Sequence, residues 1–125
     1  MIWTLTQVAV GGALGALARF ATQSGAFRLF GLTFPVGTIT VNVLGSFLVG
    51  MLFVWLAEKG LMRHAPFLVV GVLGAYTTFS TFSLDALTLW ERGQHGAAAA
   101  YVGASVVLSL GGIAAGAALA RSWLT

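Results

Sequence analysis

The chain has 125 residues, 58% of them hydrophobic and 7% charged, and its mean hydropathy is +0.96. A soluble domain carries roughly 25% charged residues, so these few charges cannot cover a water-facing surface and the composition points to an integral membrane protein. A net charge of +3, scattered along the chain, offers no basic stripe for nucleic acid. With no cysteine, disulfides and thiolate metal sites are excluded.

Four apolar stretches, each near the roughly 20 residues that span a bilayer, are expected to be helices at 3–22, 36–57, 67–90 and 97–119. Loops take up the turn formers and most of the charges. No soluble domain is left over, and the stretches lack the alternation of barrel strands. The start, MIWTLTQVAV, has no basic residue ahead of its apolar run, so the first segment reads as a permanent helix and not a cleaved signal. Trp3, Trp55, Trp90 and Trp123 fall at segment ends, where indoles favour the interface.

The first segment contains GGALGALARF. Gly11 and Gly15 form a close-packing GxxxG pair, and Arg19 continues the same face. Its guanidinium either snorkels to the headgroups or lines a mouth that concentrates anions. The second segment contains GTITVNVLGS. Thr38, Asn42 and Ser46 recur every four residues and share a face. The amide of Asn42 near mid-depth must be satisfied, either as interhelical glue or on a transport path.

The third segment contains GAYTTFSTFS, with five hydroxyl residues between 77 and 83. Glycine, serine and threonine each weaken helix continuity. A break at this depth frees carbonyls and is tolerated only where protein or a polar cavity covers it. Such a break is a recurring ion-site device. Phe79 and Phe82 present electropositive ring edges to an anion, or simply pack. In the fourth segment Ser105 and Ser109 lead into Gly112 and Gly116 as a polar-to-small stripe.

Basic residues divide evenly between the two sides of the membrane: Lys59, Arg63 and Arg121 face Arg19, Arg28 and Arg92. The usual positive-inside bias is absent. Either both orientations insert or the insertion machinery resolves a weak bias. If both insert, an antiparallel homodimer with its twofold axis in the membrane plane becomes available. No serine has a histidine and acid partner, and His64 and His95 lie in loops, so an enzyme is not expected.

In those three motifs, in order and over essentially the whole length, the chain resembles the small bacterial fluoride channels of the CrcB or Fluc family. The resemblance implies an all-α membrane protein of the bacterial inner (plasma) membrane, four transmembrane helices per subunit with the third broken mid-membrane. It implies an antiparallel dual-topology homodimer with two passive fluoride pores that relieve fluoride toxicity. Carried over by motif, Asn42 donates to the anion, and Phe79 and Phe82 offer it their ring edges. Thr38, Ser105 and Ser109 form a hydroxyl track, with Ser80 and Thr81 nearby. Arg19 and Glu91 belong to the vestibules. Backbone carbonyls of Gly74 and Thr77 from both subunits hold one structural sodium ion, a set of hard oxygen ligands. Ala75 departs from the pattern, since the family often has a second glycine there. A small multidrug exporter shares the size and topology but needs a glutamate in its first segment, which this chain lacks. A purely structural membrane subunit leaves the polar stripes unexplained.

Overall fold

The computed structural model describes residues 1–125 and is all-helical. The helices are α1 (Ile2–Phe30), α2 (Val36–Glu58), a 3₁₀ turn (Met62–His64), a π-helix (Pro66–Leu73), the single turn α3 (Gly74–Tyr76), α4 (Phe79–Glu91) and α5 (His95–Leu124). They form four rods, because the pieces from Met62 to Glu91 follow one another. Three rods, Val36–Glu58, Met62–Glu91 and His95–Leu124, are long and apolar enough to cross a membrane. The first rod has the length, 29 residues, but carries Gln7, Arg19, Gln23 and Arg28.

Local chemistry sets the ends. Gly31 (φ 75°) and Gly93 (φ 77°) take left-handed backbone that side chains resist, and each closes a helix. Pro35 stands just ahead of α2, where its missing N–H costs no helical bond.

Two differences from the sequence expectation concern extent. The first helix runs on to Phe30, past the expected end at 22. The residues from Ser24 to Phe30 read as a loop, yet they remain helical, with Gln23 and Ala26 lying against Gly37 at the start of α2. There Gln23 donates to the Thr38 hydroxyl at 3.4 Å. The last helix spans His95–Leu124, longer at both ends than 97–119.

Small residues bring the rods together. A Cβ on Gly11 or Gly15 would strike the Phe67 or Val72 carbonyl of the π-helix, and one on Gly50 or Gly116 would strike Ile113 or Phe47 across the α2–α5 seam. Backbones this close maximise dispersion contact where lipid offers no hydrophobic drive between helices. Beside this seam Leu89, Ala98 and Tyr101 form a buried cluster, with Phe34, Ile39 and Phe82 packed on it. Many large apolar side chains remain on the outside, including Leu14, Leu17, Phe20, Phe53, Val107 and Leu110. That surface suits lipid or another helical surface and not water.

Candidate functional site

The site is organised by two extended residues. Between α3 and α4, Thr77 (φ −86°, ψ 159°) and Thr78 (φ −153°, ψ 121°) leave helical geometry. Asn42, on α2, spans the Thr78 peptide with both ends of its amide. Its Oδ1 accepts from the Thr78 N–H at 2.7 Å, and its Nδ2 donates to the Thr78 carbonyl at 3.0 Å. The amide therefore stands in for a strand partner and satisfies two backbone groups that the helix cannot. Of the two readings of Asn42, this arrangement gives it an interhelical bond, while one Nδ2 hydrogen is left over.

Thr78 also caps α4. Its hydroxyl accepts from the Thr81 N–H at 3.1 Å and lies 3.3 Å from the Ser80 hydroxyl. In a continuous helix, the N–H groups of Thr78 and Thr81 would donate to the carbonyls of Gly74 and Thr77, four residues back. Here they go to Asn42 and Thr78 instead, and the two carbonyls lose those donors. Gly74 lies at the surface.

Alongside these residues is a cavity of about 360 Å³. Asn42 and Ser46 line it from α2, Thr77 and Thr78 from the extended segment, Phe79 and Phe82 from α4, and Ser105 and Ser109 from α5. The Ser105 hydroxyl is buried and has no hydrogen-bond partner, an unspent polar group in the wall of the cavity. Phe79 and Phe82 have ring centroids 5.5 Å apart at 56°. Phe82 continues to Tyr101 at 5.4 Å, and Tyr101 meets Phe34 edge-on at 5.7 Å. Phe79 is 79% exposed.

A second cavity of about 290 Å³ contains Gln23, Thr38, Thr81, Asp85, Thr88 and Arg92. Thr38 donates to Asp85 Oδ2 at 2.6 Å and Tyr101 donates to the same oxygen at 3.0 Å. The sequence-selected residues are thus divided. Asn42, Phe79, Phe82, Ser105, Ser109 and Thr77 surround the first cavity, and Thr38 and Thr81 the second. Ser80 is exposed beside Thr78, Arg19 is half-buried on α1, and Glu91 is exposed at the end of α4. Arg19 and Glu91 line neither cavity.

Sequence reasoning passed over Thr78 and Asp85. The spacing Thr78-x-x-Thr81 is a capping signal. Asp85 follows Phe82 by three residues, which puts it one turn along the same helix face.

The profile of the CrcB-like protein, Camphor Resistance (CrcB) family matches residues 6–117. The chain is 64% identical over 124 residues to a fluoride-specific ion channel FluC of Cereibacter sphaeroides, covering 99% of both chains. It is 50% identical to the protein of that name from Ruegeria sp., over 100% of both. With the one from Rhodospirillum centenum it shares 53% identity, over 92% of this chain and 93% of the relative. Matched from end to end in this way, the chain belongs to the CrcB-like family.

Proposed function

We propose that the chain is a subunit of a passive, fluoride-selective channel that exports fluoride across the bacterial inner membrane and so relieves its toxicity. The family is one of channels, and the chain is not an enzyme. The observation that carries the reading is the Ser105 hydroxyl, buried without a partner in a cavity shared with Asn42, Phe79 and Phe82. A small dehydrated anion would there meet O–H and N–H donors and aromatic ring edges, with no fixed cation to trap it. Ser109 extends the donor line along α5. Thr38, Thr81 and Ser80 belong to the adjoining polar stretch, and Arg19 and Glu91 to the flanking mouths.

The working unit in this reading is an antiparallel homodimer with two pores. Its support is the even division of basic residues and the exposure of Phe79, a ring that a second subunit would cover. The Gly74 and Thr77 carbonyls suit a sodium ion on the dimer axis, because both have lost their helical donors and carbonyl oxygens are hard ligands. Two such pairs supply four oxygens. Bound there, the ion would tie together two helix ends with like partial charge.

The test is voltage-driven efflux from liposomes containing the purified protein, followed with fluoride and chloride electrodes. Fluoride efflux with chloride retained is the expected result. Equal release of both anions, or none, would end the proposal.

A further inference from the structure

The Asn42 amide reaches from the cavity to the backbone that frees the Gly74 carbonyl. We infer that Asn42 is a positioning residue for the cation site as well as a cavity residue, and that it couples the two. The inference rests on the sodium reading above.

The geometry is specific. The Thr78 N–H has two competing acceptors: the Gly74 carbonyl, its partner in a continuous helix, and Asn42 Oδ1, its partner here at 2.7 Å. Asn42 Nδ2 holds the other side of the same peptide at 3.0 Å, so the amide keeps the peptide from rotating back. While Asn42 holds the donor, the Gly74 oxygen can face a cation. Once the donor is released, an α-helical bond to Gly74 competes with the cation for that oxygen. Thr77 is insulated from the exchange, because its lost donor is held by the Thr78 hydroxyl. The coupling therefore runs through Asn42 and Gly74.

The two functions of the amide separate by substitution. Asn42→Asp keeps an oxygen to accept the Thr78 N–H, but puts a carboxylate in the cavity. It also loses the donor to the Thr78 carbonyl, so it should abolish fluoride efflux and weaken cation binding, though less than the alanine change does. Asn42→Ala removes the acceptor and should weaken cation binding about tenfold, the scale of one net hydrogen bond. Asn42→Ser, with a shorter reach, should fall between them and carries the comparison if the alanine variant does not assemble.

The experiment is thermal unfolding of the purified full-length protein over a sodium titration, with N-methylglucamine holding ionic strength constant. The sodium concentration that gives half the stabilisation is expected to rise about tenfold for Asn42→Ala and by less for Asn42→Asp. Identical sodium dependence in all variants would overturn the coupling and leave the sodium site standing. A wild-type protein indifferent to sodium would overturn both, and intact fluoride efflux in Asn42→Asp would instead count against the anion path.

Discussion

Thr38 on α2 and Asp85 on α4 are joined by a 2.6 Å hydrogen bond, and the Tyr101 hydroxyl of α5 joins the same carboxylate oxygen. Three helices thus meet on one side chain. Tyr101 is fully buried and Thr38 is 4% exposed, so neither hydroxyl has ready access to solvent.

Asp85→Ala should therefore leave two donors unpaired at about 1–3 kcal/mol each. Asp85→Asn keeps an acceptor oxygen and should cost less. The check is the midpoint of thermal unfolding of the purified protein, with wild type highest, asparagine next and alanine lowest. Equal midpoints for the two variants would show that the shared oxygen does not hold the helices together.

This meeting point was not legible in the sequence, although its members are. Thr38 reads as sharing a face with Asn42, yet its partner lies 47 residues away, and periodicity carries no information about which helix a face meets. Asp85 was passed over because a lone acid near the end of an apolar run resembles a border. The π-helix at Pro66–Leu73 left no sequence signal either. It packs on Gly11 and Gly15, so its shape is bound up with a tertiary contact. What was legible is what local chemistry sets: four helical rods, three of them apolar enough to cross a membrane, the glycine stripes and the stretch from Thr77 to Ser83. The end of α1 was missed because polar residues there read as loop, while the folded chain gives Gln23 a partner on α2.

The glycine seams make a sharper comparison. A Cβ on Gly116 would run into the Phe47 carbonyl, whereas one on Gly111 meets nothing within 4 Å. Gly116→Val should push α2 and α5 apart and cost about 1–3 kcal/mol, as overpacking does. Gly111→Val should be tolerated. Size-exclusion profiles and unfolding midpoints of the two variants check this, and equal tolerance would mean that the seam can open without loss.

The dual-topology proposal rests on the three-to-three division of basic residues. A reporter fused to the C-terminus should be labelled from both sides of the membrane. Adding two lysines to one loop set should bias the orientation and lower fluoride efflux, since antiparallel partners become scarce. Uniform labelling from one side of wild type would remove the dual-topology proposal.

The phenylalanine pair tests the transport mechanism itself. Phe79 and Phe82 lie one turn apart on α4 and share the cavity with Ser105. Isoleucine keeps much of the bulk and all of the hydrophobicity but has no electropositive edge. Phe79→Ile and Phe82→Ile should each cut fluoride efflux by up to about tenfold, since an aromatic contact is worth about 0.5–1.5 kcal/mol beyond burial. An inside-negative potential supplies about 2.3 kcal/mol per 100 mV to expel a monovalent anion, and the cavity that holds the phenylalanines is lined by no acid or histidine. Efflux from liposomes should therefore follow an imposed potassium-diffusion potential and be indifferent to a pH gradient. Wild-type rates in both isoleucine variants would show that the ring edges do not bind the anion. Efflux that follows the pH gradient and ignores voltage would replace the passive channel with a proton-coupled carrier.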